Sequence, residues 1–337
     1  MTRRGFLAAT AAVTAAPAAA PARSAMGFSP DCFGVSRASR APLDYIQYGY
    51  DRGAGGVQVM LPSPLDPDLL KNIRALAEKL GMFLEVTLQL PRDDGTQFEQ
   101  TALAAKQIGA WCLRSVCLSG RRYETFNTLA DWKTFVTESH ARLARAIKIV
   151  EKVRIPMGLE NHKDWTAEEM VPLLKQYSSE YLGTCIDWGN NMSLCDDPVE
   201  LIEALAPWSL NSHIKDMAVE EYADGFNLSE VALGQGMLPL KRLTATLLKA
   251  QPRTRFSLDM LTRNPLMIPC LTEKYWVTMP NRNGVYLARM LRLVRANKPA
   301  KPLVRLESMD QEARVRLEQD NVRLSVDYAR DQLGLKV

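Results

Sequence analysis

Between Cys32 and Met260 one pattern recurs eight times: a short apolar, β-branched run followed by a longer amphipathic stretch. The runs are Cys32–Ser36, Gly56–Leu61, Phe83–Leu90, Cys112–Leu118, Pro156–Asn161, Thr184–Trp188, Ser212–Lys215 and Phe256–Met260. All have strand length, and the stretches between them carry apolar residues at helical spacing. The clearest of these are Pro67–Leu80, Phe98–Ile108, Trp132–Val153, Thr166–Tyr177, Pro198–Leu205 and Pro239–Lys249. Run starts lie mostly about 24 to 29 residues apart, and about 44 before the fifth and eighth, which leaves room for a crossover helix each time. Eightfold strand–helix alternation predicts an α/β fold, a parallel sheet closed into a single (β/α)8 (TIM) barrel. The competing open, doubly wound sheet lacks its G-x-G-x-x-G turn after the first run.

Helix-end signals agree with this phase. Thr166 followed by Ala167-Glu168-Glu169 reads as a capping box, Asp197-Pro198 as a cap before a first-turn proline, and Gly81 as the stop after Leu80. The expected division is a leader over 1–25, the barrel over 26–270 and a C-terminal helical extension over 271–337. In that extension Tyr286–Ala296 and Met309–Leu333 read as helices, to pack outside the barrel or to join a partner subunit in a homo-oligomer.

The leader reads Thr2-Arg3-Arg4-Gly5-Phe6-Leu7, then an Ala-rich run from Ala8 to Ala20, with a small-residue cleavage site at Ala20-Pro21-Ala22. Paired arginines before such a run resemble a twin-arginine export signal, so a periplasmic or otherwise exported location is expected. A membrane anchor needs roughly 18 apolar residues, and this run is too short and too poor in Leu and Ile. No stable membrane insertion is expected once the signal is removed. The net charge of +4 comes from 42 Lys and Arg against 38 Asp and Glu, and they are interspersed. Without a dense basic stripe the chain lacks the footprint of a nucleic-acid binder. Six cysteines without CxxC spacing sit mostly in apolar runs and read as buried free thiols.

Working side chains of a (β/α)8 barrel come from the C-terminal strand ends. Here the fifth run ends Gly158-Leu159-Glu160-Asn161-His162 and the sixth Cys185-Ile186-Asp187-Trp188-Gly189-Asn190. The seventh ends Ser212-His213-Ile214-Lys215-Asp216 and the eighth Phe256-Ser257-Leu258-Asp259-Met260. Strands five to eight are neighbours, so Glu160, Asp187, His213 and Asp259 should converge. Three crowded carboxylates repel unless a cation neutralises them, and three oxygens plus one imidazole suit Mn2+ or Mg2+, with Zn2+ or Co2+ as further candidates. Singly, each has an ordinary reading: Glu160 as a cap or partner of Lys163, Asp187 as an Asx turn, His213 as a core histidine, Asp259 as a loop acid. Their equivalent positions favour the joint one. His162 shares the face of Glu160 and Lys215 that of His213, so both are candidates to touch substrate, beside Asn190. Trp188 is expected either to stack on a sugar ring or to fill the barrel rim.

The strings Gly158–His162, Asp187-x-Gly189-Asn190, His213-x-Lys215-Asp216, Gly234-Gln235-Gly236 and Phe256–Asp259 resemble, in order, signatures of the sugar phosphate isomerase/epimerase-like (xylose isomerase-like) family. The resemblance covers roughly residues 30 to 265. It implies that Glu160, Asp187, His213 and Asp259 are metal ligands, that Glu160 and Asp259 are the acid/base pair, and that the partner is a small carbohydrate. Two departures stand out: Asp259 where the family usually has Glu, and Asn190 where epimerases commonly carry His. The family's multi-zinc endonucleases need more histidines than His140, His162 and His213. The expected activity is metal-dependent isomerisation or epimerisation of a ketose or keto-sugar through an enediolate. The alternatives are β-elimination from 3-keto-glycosides and a non-catalytic carbohydrate-binding barrel.

Overall fold

The computed structural model describes residues 22–337; the twin-arginine and Ala-rich segment lies outside the described residues. The strands in chain order are β1 (Gly27–Phe28), β2 (Gly56–Val59), β3 (Phe83–Thr87), β4 (Cys112–Ser115), β5 (Met157–Glu160), β6 (Leu182–Asp187), β7 (Ser209–Ile214), β8 (Asp216–Tyr222), β9 (Gly225–Val231), β10 (Arg255–Leu258) and β11 (Leu266–Ile268). Strands β1 to β7 and β10 form a closed barrel in the order β1-β10-β7-β6-β5-β4-β3-β2, every pair parallel. The helices are α1 (Pro42–Asp51), α2 (Pro67–Leu80), α3 (Thr96–Gln107), α4 (Arg122–Thr125), α5 (Leu129–Val153), α6 (Ala167–Tyr177), α7 (Pro198–Leu205), α8 (Leu240–Ala250), α9 (Glu273–Trp276), α10 (Gly284–Ala296) and α11 (Gln311–Asp331).

Local chemistry sets these boundaries as expected. Asp66 and Asp197 cap α2 and α7, each accepting backbone N–H bonds ahead of a first-turn proline. Gly81 closes α2 at φ 61°. The capping box of α6 is present, with Glu169 Oε2 accepting from the Thr166 N–H at 2.9 Å. All six cysteines are free and buried. No helix among the described residues is long and apolar enough to cross a membrane.

Two parts of the sequence reading are corrected. The first stave is β1, not Cys32–Ser36; Pro30 lacks an N–H for a ladder, and Pro30–Phe33 forms one 3-10 turn instead. Phe33 in that turn packs edge-on against Phe28 and Tyr48. The second correction is an insertion between the last two staves. There β8 and β9 form an antiparallel hairpin, joined on its far side by β11. Its turn is Ala223-Asp224, and a Cβ on Gly225, which opens β9, would lie 2.1 Å from the Ile268 carbonyl oxygen, so β11 can close only on glycine.

The extension packs on its own barrel. Val322, Val326 and Ala329 of α11 are buried in the common core. Its Glu318, fully buried, accepts the N–H groups of Val35 (2.6 Å) and Ser36 (3.0 Å) beyond the first 3-10 turn. Glu318→Leu deprives both donors of an acceptor and is expected to cost about 2–4 kcal/mol in urea unfolding. A loss below about 0.5 kcal/mol would show that this contact does not hold the extension.

Candidate active site

The register of the barrel gathers the strand-end side chains. Asp187 at the end of β6 lies beside His213 of β7, and Asp259 follows β10 with its N–H on the Ile214 carbonyl at 3.1 Å. Around His213 Nδ1 stand Glu160 Oε2 at 3.3 Å, Asp187 Oδ2 at 3.9 Å and Asp259 Oδ2 at 3.9 Å. Asp259, one methylene shorter than Glu, therefore still reaches the group. His213 Nδ1 is buried without a hydrogen-bond partner, and Asp187 Oδ2 is met by the Lys215 ammonium alone. Asp187, His213 and Asp259 present donor atoms within 4.8 Å of one another, as do Glu160, Cys185 and His213. Converging carboxylate oxygens and one unpartnered ring nitrogen are a donor set that fits a divalent cation.

Protein cations already temper this charge. The Lys215 ammonium lies 2.8 Å from Asp187 Oδ2 and 2.7 Å from Asp259 Oδ2. Arg114 holds Glu160 Oε2 through its guanidinium, while Asn190 Nδ2 donates to Oε1 at 3.2 Å. Burial would raise the Glu160 carboxyl, but Arg114 and His213 hold it well below the usual carboxylate range. For Asp259, Lys215 and His213 likewise outweigh burial, and Ser29 Oγ donates to Oδ1 at 2.7 Å. Asp187 differs: burial pushes it up, and Lys215 offsets this only in part. Beneath the cluster the Gln58 amide nitrogen donates to Glu85 Oε2 and sits 2.7 Å from His213 Nε2.

A polar cavity of about 260 Å³ opens above these groups, with Arg114, Glu160, His162, Lys163, Lys215, Asp259 and Arg263 in its wall. His162 is pushed down to about 3 by burial and by Lys163, so the ring is neutral. Its Nδ1 lies 2.9 Å from the Leu118 carbonyl and must donate there, leaving Nε2 as an acceptor. Asn190 reaches Glu160 and not the cavity wall. Trp188 is corrected: it is fully buried, bonds Ser212 Oγ at 2.6 Å and meets Phe256 edge-on, so it packs behind the strands and offers no face to a sugar.

Gln58, Glu85, Arg114 and Arg263 are not foreseen from the sequence, and Lys163, expected there as an ordinary partner of Glu160, lines the cavity while Arg114 takes that pairing. The first three interrupt apolar β2, β3 and β4 and carry the same signal that exposed the acids of later staves. Arg263 lies in the loop between β10 and β11, and its guanidinium pairs with Glu230 of β9 in the unforeseen insertion.

Eight parallel staves with a carboxylate–imidazole centre at their C-terminal ends define a barrel of the kind that holds its chemistry at the strand mouth. The chain belongs to the xylose isomerase-like TIM barrel family, whose sequence profile matches residues 35–277. It is 28% identical over 233 residues to 3-oxo-isoapionate decarboxylase of Pectobacterium atrosepticum, spanning 66% of this chain and 80% of that protein. The structure of D-psicose 3-epimerase in the presence of D-fructose superposes with a TM-score of 0.56 at 13% identity, covering 92% of this chain and 99% of that one. A xylose isomerase domain protein from Alicyclobacillus acidocaldarius superposes with a TM-score of 0.53 at 15% identity, covering 80% and 99%. At such identities the structural likeness is one of fold.

Proposed function

We propose that the protein is a metal-dependent sugar-modifying enzyme of the isomerase/epimerase type, which removes a proton α to the carbonyl of a ketose or keto-sugar. The observation that carries this reading is the gathering of Glu160, Asp187, His213 and Asp259 around one point, with the buried His213 Nδ1 unsatisfied. These four residues would hold the cation, Mn2+ or Mg2+ in first place, and it would supply Lewis-acid polarisation of a carbonyl and its neighbouring hydroxyl.

The remaining chemistry belongs to side chains. Glu160, kept ionised and aimed by Arg114 and Asn190, takes the proton from carbon as general base. A water held by Asp259, which Ser29 and Lys215 steady as a carboxylate, gives a proton back to carbon, and the hydroxide left behind takes the proton from Glu160. Return to the opposite face of the same carbon epimerises; return to the neighbouring carbon isomerises. The Nε2 of His162 accepts from a substrate hydroxyl. The similarity to a decarboxylase favours a second reading on the same machinery. There the bond to a β-keto carboxyl breaks, carbon dioxide leaves, and the electron pair passes to the same enediolate before a proton is added.

The test is incubation of Mn2+-loaded protein in D2O with neutral ketoses, 3-keto-glycosides and β-keto sugar acids. Deuterium entering carbon is expected, with the products separating epimerisation, elimination and decarboxylation. No exchange and no cleavage in any class would defeat the proposal and leave a binding barrel.

Lys215 also makes a prediction about the cation. Its ammonium occupies the same two carboxylate oxygens, so a cation there must displace or share it. Lys215→Met is expected to tighten Mn2+ binding in calorimetry by roughly tenfold or more and to enlarge the thermal shift on adding Mn2+. Unchanged affinity would place the cation elsewhere.

A further inference from the structure

We propose that Lys163 binds a carboxylate of the substrate, so that the enzyme acts on an acidic keto-sugar, such as a keto-aldonate or keto-uronate. This rests on the reading of the cavity as an active site and names the substrate class.

Lys163 is 6% exposed and lines the cavity, yet it has no hydrogen-bond or ion-pair partner among the described residues. The carboxylates of the same wall are already matched: Glu160 by Arg114, Asp259 by Lys215, Glu124 by Arg121 and Asp31 by Arg40. Lys163 is the cation left over. A buried ammonium without a partner is costly to keep, and such groups are rare unless something compensates them.

The backbone adds a second cost and a purpose for it. Lys163 sits at φ 62°, the left-handed region that side-chain-bearing residues disfavour. The loop after β5 is nonetheless held on both sides. Asp164 accepts the N–H groups of Leu118, His162 and Trp165 at 3.2, 3.1 and 2.8 Å, and the Arg122 N–H bonds the Lys163 carbonyl at 3.0 Å. The ammonium is thus presented from a fixed support, which cuts the ordering cost of binding an anion. Arg263 lines the same cavity from the loop between β10 and β11, but Glu230 occupies its fork.

One free ammonium facing a wall that also carries Glu160 and Asp259 suits a single negative charge. A phosphate dianion is usually met by several backbone N–H groups or a helix N-terminus.

The test is calorimetric titration of the full-length Mn2+-loaded protein with 2-keto-D-gluconate and D-glucuronate, against neutral D-fructose and D-glucose, with D-fructose 6-phosphate and inorganic phosphate as further arms. The acids are expected to bind roughly tenfold to a hundredfold tighter than the neutral sugars. Lys163→Gly and Lys163→Met should erase that margin, acid affinity falling far more than neutral-sugar affinity, and Lys163→Arg should keep part of it. The glycine variant relieves the left-handed backbone, so it removes the ammonium without endangering the fold; thermal unfolding checks this.

Equal affinities for acids and neutral sugars, undetectable binding included, would overturn the proposal. So would a preference that survives Lys163→Gly, or a Lys163-dependent preference for the phosphates. Deuterium exchange separates this proposal from the one beneath it. Acids that bind through Lys163 without exchange or cleavage defeat the enzymatic reading alone. Exchange or cleavage on the acids at equal rates in wild type and Lys163→Gly defeats the carboxylate site alone.

Discussion

Glu160→Gln slows deuterium entry into substrate carbon by roughly 10² to 10⁴-fold, the range for loss of a general base. The amide is isosteric and can still accept from Asn190 through its oxygen, so the change removes basicity more than shape. It also leaves Arg114 without its counter-charge, and the variant should unfold at a lower temperature. Glu160→Asp separates the two effects: it restores the charge but draws it back by one methylene, and should recover the Arg114 pairing better than the rate. Mn2+ affinity needs measuring on each variant, because Glu160 is also proposed as a ligand. Exchange within threefold of wild type in Glu160→Gln, at saturating metal, would move the base elsewhere, with Asp259 as the first candidate.

Arg122→Met is expected to lower the unfolding free energy by about 3–5 kcal/mol, as removal of one member of a buried charged network does. The Arg122 side chain is 1% exposed, and every one of its N–H donor groups is engaged. Its Nη1 bonds the Asp164 carbonyl at 3.0 Å and Glu169 Oε2 at 2.6 Å. Its Nη2 bonds Glu169 Oε1 at 3.1 Å and the Thr278 carbonyl at 2.6 Å, and Nε bonds Thr278 Oγ1 at 3.1 Å. The guanidinium carbon lies 3.6 Å from the centre of the Trp132 ring. One residue thereby ties the loop after β5, the start of α6, α5 and the segment after α9. Methionine fills the volume but leaves Glu169 without its cation and two carbonyls unpaired. Urea titration reads the loss; a change under 1 kcal/mol would mean that water replaces the network at little cost.

The barrel was legible because its signal is periodic and redundant. Seven of eight staves lie within their expected runs or overlap them, and the caps of α2, α6 and α7 sit at the residues that announced them. The first stave failed because Cys32-Phe33 looks like strand by composition, while Pro30 decides its conformation. The hairpin β8–β9 was hidden by a rule that awaited a helix after each strand, although Asp224-Gly225 is a strong turn signal. In the site, acids at strand ends were readable from position alone. Pairings were not: that Lys215 spans two carboxylates, or that Trp188 turns behind the sheet, depends on side-chain direction.

At the floor of the barrel the two ends of the described chain are stitched together. Ser24 Oγ donates to the Leu335 carbonyl at 2.9 Å, the Ala25 N–H bonds the same oxygen at 2.8 Å, and Arg23 reaches the carbonyls of Ala54 and Leu80 beneath β2 and β3. Ala22 and Val337, the two ends of the described chain, therefore lie at the pole opposite the cavity. A fusion partner, an affinity handle or a solid support attached there would leave the mouth facing open solvent.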